Sequence, residues 1–305
     1  MTIERTERPR VLSGCLPALV TPLTDPATLD TAGVAAVVAA AVADGASGVL
    51  VAGTTGEGSL LTPEQREALT AAARHALGPA GAGPVLVAGA SGPNLAALHA
   101  DVARLAAAGA DLVLVLPPHL QPLTPDEVAD LHLAVAERAE VDLLAYHIPQ
   151  LAGSPLTPEA VRRFAAHERI VGMKDSSPDA QRRAAFIAVT REVPGFALLT
   201  GHAPTLAAAL EAGADGSILA ISNLRLRHAV ELTAAAAAQD TQRVATLQDG
   251  LTRLSGAIGQ VGASVPAVLK AALQLQGRID ERWCTPPLAS VPGRRLDAVR
   301  TALMP

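Results

Sequence analysis

The chain has 305 residues, is half hydrophobic, 17% charged and only 2% aromatic, and carries a net charge of −5. It offers ample material for a core built from Ala, Val and Leu. It has neither a basic cluster nor stacking platforms for nucleic acid, and its apolar stretches break well short of the ~18 residues a membrane span needs. Cys15 and Cys284 lie far apart without metal-type spacing, and the charged residues 1–10 lack the apolar run of a signal peptide. A cytoplasmic protein with reduced cysteines and no membrane or nucleic-acid partner is therefore expected.

In chain order, short apolar runs of β type recur at 14–20, 48–52, 85–88, 111–116, 142–146, 170–174, 197–200 and 216–220. Between them lie stretches of helical period at 33–44, 63–77, 93–108, 125–139, 158–167, 179–192 and 203–212. Alternating β and α implies a parallel sheet, and strands apolar on both faces suit a sheet covered on both sides. The segments starting at Asp44, Ala108 and Ala212 share one form, a helix stopped by glycine (Gly45, Gly109, Gly213) and returned to a strand. Thr62-Pro63-Glu64, Thr124-Pro125-Asp126 and Thr157-Pro158-Glu159 mark helix starts, each a hydroxyl cap followed by proline at the first helical position. From about Leu224 the strand texture ends, and 225–238, 240–257, 264–276 and 293–303 read as helices. No Gly-x-Gly-x-x-Gly follows any strand, so a closed (β/α)₈ barrel is preferred to a doubly wound sheet. The predicted boundaries are a barrel over 1–224, its eighth helix at 225–238, and a C-terminal helical region over 239–305.

Functional groups of such a barrel project from the C-terminal ends of its strands. Those positions hold Gly53-Thr54-Thr55-Gly56-Glu57, Pro117-Pro118-His119, Tyr146-His147, Lys174-Asp175-Ser176-Ser177, Gly201-His202 and Ile221-Ser222-Asn223. Lys174 and Lys270 are the only lysines, and Tyr146 is the only tyrosine. Arginine keeps its proton at any useful pH, whereas a desolvated lysine can become a free amine and attack a carbonyl. Read from the residues alone, Lys174 is either a nucleophile or an ion-paired lysine. Asp175 should not be its partner, because successive strand residues face opposite sides. Tyr146 ends the neighbouring strand and is either a proton-transfer group or a buried tyrosine with a satisfied hydroxyl. Gly53-Thr54-Thr55-Gly56 offers backbone N–H groups and hydroxyls able to hold a carboxylate. Glu57 and Asp175 read as loop charges or orienting groups, and Lys270 as a solvated or packing residue of a late helix. His75, His99, His132, His167 and His228 read as surface or helix residues. No His-x-x-His or Glu-x-x-His pattern is present, so no metal site is expected.

Three motifs, Gly53-Thr54-Thr55-Gly56-Glu57, Tyr146-x-x-Pro149-x-x-x-Gly153 and Gly172-x-Lys174-Asp175, resemble those of the dihydrodipicolinate synthase/N-acetylneuraminate lyase family. Pro17-Ala18-Leu19-Val20-Thr21-Pro22 and Gly213-Ala214-Asp215-Gly216 are similar to it as well. The resemblance runs from about Gly14 to Asn223. It implies a (β/α)₈ barrel with a C-terminal helical region, assembled as a homotetramer, with no metal and no diffusible cofactor. It also implies that Lys174 forms an imine with pyruvate or another 2-oxo acid, that Tyr146 shuttles protons with Thr54, and that Thr55 and its backbone hold the carboxylate. Gly53, Gly56, His119, His147 and Ile218 complete the expected substrate-binding set.

Three departures narrow the expected activity. The family's lysine-pathway synthases carry an arginine where this chain has Leu151, and a neighbouring subunit's tyrosine where it offers Pro118-His119. Their Asn after the motif tyrosine is His147 here. The expected function is thus a Schiff-base aldolase on a 4-hydroxy-2-oxo acid or 2-keto-3-deoxy sugar acid. The lysine-pathway synthase, a 2-keto-3-deoxy acid dehydratase and a silent keto-acid-binding protein stand as alternatives.

Overall fold

The computed structural model describes residues 12–117 and 121–304. Eight parallel strands form the barrel: β1 (Gly14–Pro17), β2 (Gly48–Val51), β3 (Val85–Ala90), β4 (Leu112–Val115), β5 (Asp142–His147), β6 (Ile170–Asp175), β7 (Ala197–Thr200) and β8 (Gly216–Leu219). They pair in sequence order from β2 to β8, β8 pairs with β1, and an Ala18–Leu50 bridge joins β1 to β2. The expected (β/α)₈ architecture is present, with strand ends shifted by at most three residues.

Helices α1 (Thr31–Ala43), α2 (Pro63–Leu77), α3 (Leu95–Ala107), α4 (Pro125–Ala136), α5 (Pro158–Ala165), α6 (Ala180–Glu192), α7 (Leu206–Ala212) and α8 (Ser222–Ala237) follow the strands in turn. The three Thr-Pro starts are true caps: Thr62, Thr124 and Thr157 accept from the backbone N–H of Gln65, Glu127 and Ala160. The first two also form complete capping boxes. The glycines of the repeated segment are left-handed, with φ of 90°, 96° and 105° at Gly45, Gly109 and Gly213. In two of these segments the aspartate ties the returning chain to the preceding strand. Asp111 accepts from Leu86 N at 2.7 Å, and Asp215 from Leu198 N at 2.9 Å.

Several elements differ from expectation. A small hairpin, Leu23–Asp25 with Thr28–Leu29, precedes α1, and a one-turn helix, Pro149–Ala152, follows β5. A 3₁₀ turn, Ala203–Thr205, opens the segment expected as one helix before β8. Helix α8 begins at Ser222 and is broken at Arg225. Beyond it lie α9 (Thr241–Gln260), α10 (Val265–Leu275) and α11 (Leu296–Ala302). Among the described residues no single helix is long and apolar enough to cross a membrane.

Two apolar layers hold the barrel. Leu16, Leu50, Val87, Leu114, Leu144, Val171, Leu199 and Ile218 fill its interior, and a larger cluster packs between strands and helices. The three phenylalanines, Phe164, Phe186 and Phe196, are all buried in the outer layer. His132, on helix α4 in keeping with the helix half of its expected placement, joins them and is fully buried. Its ring stacks on Phe164 at 5.2 Å, and Nδ1 bonds Val128 O at 2.7 Å. Burial pushes the imidazole below its ordinary pKa of 6.5, against the opposing pull of the Val128 carbonyl. The unfolded chain thus binds a proton more readily than the folded one. The stabilising contribution is complete above about pH 6.5 and is lost as pH falls toward the folded value. His132→Phe should therefore flatten the loss of stability between about pH 7.5 and 5.5, read as the change in urea midpoint. An unchanged slope would mean that other groups carry the acid sensitivity.

Candidate active site

Strands β5 and β6 pair in a register that sets Tyr146 opposite Lys174 and His147 opposite Asp175. The pleat then sends the two pairs to opposite faces. Tyr146 and Lys174 face inward among the barrel-filling residues, 3% and 4% exposed. Lys174 Nζ lies 4.5 Å from the centroid of the Tyr146 ring, over its face. As anticipated, Asp175 is not the partner of Lys174.

The Tyr146 hydroxyl stands between two others. Thr54 Oγ1 and Ser176 Oγ each donate to Tyr146 Oη at 3.4 Å. Both contacts are long, as acid–base hydrogen bonds are before a substrate tightens them. The arrangement forms a short chain of exchangeable protons ending beside the Lys174 amine. Gly201, at the end of β7, makes room for it: a Cβ there would lie 2.0 Å from Ser176 Oγ and 2.9 Å from Lys174 Cε.

Thr54 is placed by a tight turn after β2. Gly58 N donates to Gly53 O at 3.0 Å, Glu57 N to Thr54 O at 3.2 Å, and Thr21 Oγ1 to Gly56 O at 2.6 Å. The turn begins and ends at non-glycine residues of positive φ, Ala52 at 51° and Glu57 at 61°. Such conformations persist where the surroundings over-determine them and cluster at functional sites. Gly58 has no alternative, since a Cβ would sit 1.6 Å from Ala52 O. Gly53 and Gly56 are likewise packed, against the Leu50 side chain and against Ala52 N and Leu19 O. Thr55 is buried within the turn, and Ile218 is buried in the barrel interior.

Behind β6 a second polar cluster braces the strand ends. Asp175 accepts from His147 Nδ1 at 2.8 Å, Ser177 N at 3.0 Å and Ser177 Oγ at 3.2 Å. Arg183 Nε stands 3.3 Å from its other oxygen, while the same guanidinium donates to Ser177 O and to Thr205 Oγ1. Arg183 and Asp175 are both buried, so removing either would leave an uncompensated charge at a cost of about 3–5 kcal/mol. Burial, followed by the Arg183 guanidinium, pushes the His202 imidazole below its ordinary value, with Asp175 pulling the other way.

These contacts sort the expected site residues. Lys174, Tyr146 and Thr54 are brought together, with Thr55, Gly53 and Gly56 in the same turn and Ile218 in the barrel interior. His147 is turned away from the inner face. It is fully buried, bonded to Asp175 and packed edge-on against Phe186 at 5.3 Å. Its placement is that of a brace rather than a substrate contact, and the strand alternation that excluded Asp175 already pointed to it. His119 lies outside the described residues. Gln150 donates to Ser176 O at 3.0 Å and so braces the same loop. Glu57 and Asp175 are buried and paired, Glu57 with Lys270 and Asp175 with His147 and Arg183, so neither is a solvated loop charge. Ser176 and Gly201 fall among the strand-end positions without a role read for them, and Arg183 carries no sequence signal. A hydroxyl two residues beyond the lysine was the one sequence signal for Ser176.

A parallel barrel with a buried lysine–tyrosine pair at adjacent strand ends defines the class of protein. The chain belongs to the dihydrodipicolinate synthetase family, whose model matches residues 11–304. It is 32% identical over 294 residues to a 4-hydroxy-tetrahydrodipicolinate synthase of Gluconacetobacter diazotrophicus, covering 96% of each chain. It is 30% identical over 268 residues to one of Exiguobacterium, covering 88% of this chain and 89% of that one. Among solved structures it is similar to YagE of E. coli K12, a prophage protein of the same family in complex with pyruvate. The TM-score is 0.89 at 26% identity, covering 95% of this chain and 97% of that one. It is also similar to a monomeric dihydrodipicolinate synthase variant, with a TM-score of 0.89 at 25% identity over 96% of both chains.

Proposed function

We propose that the protein is a Schiff-base lyase acting on pyruvate or another 2-oxo acid, and an aldolase for substrates with an uncharged far end. The observation that carries this is the Lys174 amine lying against the Tyr146 ring, with the Thr54 and Ser176 hydroxyls on the phenol oxygen. The pyruvate bound by YagE, a relative of the same fold, supports a 2-oxo acid here.

In the cleavage direction the Lys174 amine attacks C2 of the 2-oxo acid to give a carbinolamine. Loss of water, assisted by the phenol, leaves the imine. The Tyr146 phenolate then takes the C4 hydroxyl proton, the C3–C4 bond breaks, an aldehyde leaves, and the electron pair passes into the imine as an enamine. Protonation at C3 and addition of water release pyruvate and restore the amine. Thr54 and Ser176 relay the protons that Tyr146 gains and loses, while Thr55 and the turn's N–H groups take the carboxylate. The imine is itself the electron sink, so each step is served by the chain's own residues. The homotetramer belongs to this reading, although one relative of the fold is a monomeric variant.

A second reading, 4-hydroxy-tetrahydrodipicolinate synthase, is favoured by the names of the relatives. Leu151 weighs against it. It lies on the one-turn helix after β5, is 59% exposed, and offers no hydrogen bond to a second substrate's carboxylate. A charged hydrogen bond is worth about 1.5–3 kcal/mol, so its loss lowers discrimination by roughly tenfold or more.

The test is sodium borohydride trapping with pyruvate, followed by peptide mass spectrometry. Irreversible mass gain is expected on Lys174 alone. Labelling on Lys270, or none at saturating pyruvate, would overturn the Schiff-base reading. A panel of 2-oxo acids and aldehydes compared by kcat/KM then separates the two activities. Uncharged far ends should exceed aspartate semialdehyde by about tenfold or more, and the reverse order would restore the synthase.

A further inference from the structure

Lys270 lies on α10, far from Lys174 in sequence, and no step above uses it. It is fully buried, not solvated, and its Nζ stands 2.5 Å from Glu57 Oε1 with both side chains at 0% exposure. The ammonium donates a hydrogen bond to Trp283 O at 2.6 Å, and Thr285 N donates to Glu57 Oε2 at 2.5 Å. Three parts of the chain therefore meet at one carboxylate: α10, the segment through Trp283–Thr285, and the turn after β2.

Glu57 ends the stretch of turn that carries Thr54 and Thr55. Its N–H closes on Thr54 O, and its carbonyl accepts from Leu60 N at 2.8 Å and Leu61 N at 3.2 Å. With φ at 61° it holds a left-handed conformation unusual for a residue with a side chain. Stability alone does not account for a buried ion pair, because well-packed neutral side chains of similar volume often serve as well or better. What a charged pair adds is direction. A carboxylate with one partner fixed on each oxygen can occupy only one place, and the turn must follow it.

We propose that Glu57 and Lys270 are positioning residues, through which the C-terminal helical tail sets Thr54 and Thr55 against Tyr146. The catalytic half of this statement rests on the lyase reading above. The pair acts on the turn itself, so loosening it should show in the turn whether or not substrate is present.

Two variants test this in the full chain: Glu57→Gln, which keeps every heavy-atom position, and Glu57→Gln/Lys270→Met, which removes both charges at near-constant volume. Amide hydrogen exchange is followed for residues 50–61 and for β5 and β6 as internal controls. Thermal midpoint, kcat, KM and borohydride trapping of pyruvate at Lys174 are measured alongside. Both variants should remain folded, with exchange in the turn faster by about tenfold or more and the controls unchanged. Turnover should fall roughly 10- to 100-fold, the scale of a misplaced catalytic group, while Lys174 still traps pyruvate. If Glu57→Gln, which leaves the buried Lys270 ammonium without its counter-charge, fails to fold, the double variant carries the comparison alone. Turn exchange and kcat within about twofold of the wild type would overturn the proposal, as would a loosened turn with unchanged turnover. Trapping in the wild type is run in parallel. A failure of the Schiff-base reading would appear there, and a failure of the positioning role would appear in the exchange.

Discussion

Lys174→Arg is expected to lose turnover by roughly 10⁴-fold or more, because removing the nucleophile closes the covalent route altogether. The substitution keeps the positive charge and much of the stem, so a lysine acting as a counter-ion would be served nearly as well by arginine. A lysine acting as an amine would not, since the guanidinium stays protonated at every pH the protein survives. Lys174 is 4% exposed, and Gly201 already stands close to its stem, so the larger head group can also disturb packing. Lys174→Met, neutral and of similar volume, separates the two effects. Both variants should retain the wild-type circular dichroism and bind no pyruvate under borohydride. Arginine at near wild-type rate would reduce Lys174 to an ion-pairing residue and remove the basis of the lyase reading.

The barrel was legible because its strands are short, mostly apolar runs punctuated by Gly, Asp or Pro, and the Thr-Pro-Glu/Asp starts fix where three helices begin. The Leu23–Asp25 hairpin was not, since its strands of three and two residues expose Thr and Asp and give no alternation to read. Lys174 and Tyr146 stood out through rarity at strand ends. The same rarity applied to Lys270, but its helical surroundings suggested a solvated or packing residue. Its partner Glu57 is brought to it only by the way the tail folds back on the barrel. Pairing across such a distance is a property of tertiary packing, which local pattern does not record. The placement of His147 away from the inner face has a different origin. It ends the same strand as Tyr146, and the pleat that sends Tyr146 inward must send its neighbour outward. Ser176 lies past the end of β6, where no periodicity fixes the direction of a side chain.

Tyr146→Phe isolates the proton relay from everything else the residue does. The ring remains, so the face against which Lys174 Nζ lies at 4.5 Å is preserved, along with the packing of the barrel interior. Only the oxygen that receives Thr54 Oγ1 and Ser176 Oγ is removed. Those two hydroxyls each stand 3.4 Å from the lost phenol oxygen and are not expected to replace its reach to a substrate hydroxyl at C4. The imine should still form under borohydride, more slowly, because water can assist the loss of hydroxide from the carbinolamine. Carbon–carbon cleavage has no such substitute, and kcat should fall by about 10²–10⁴, the contribution typical of a positioned acid–base group. The split is the diagnostic result: trapping of Lys174 by pyruvate retained, turnover lost. If trapping and turnover both stay at wild-type rates, the proton travels through Thr54, Ser176 or solvent, and Tyr146 serves only as the apolar wall against which the lysine is held.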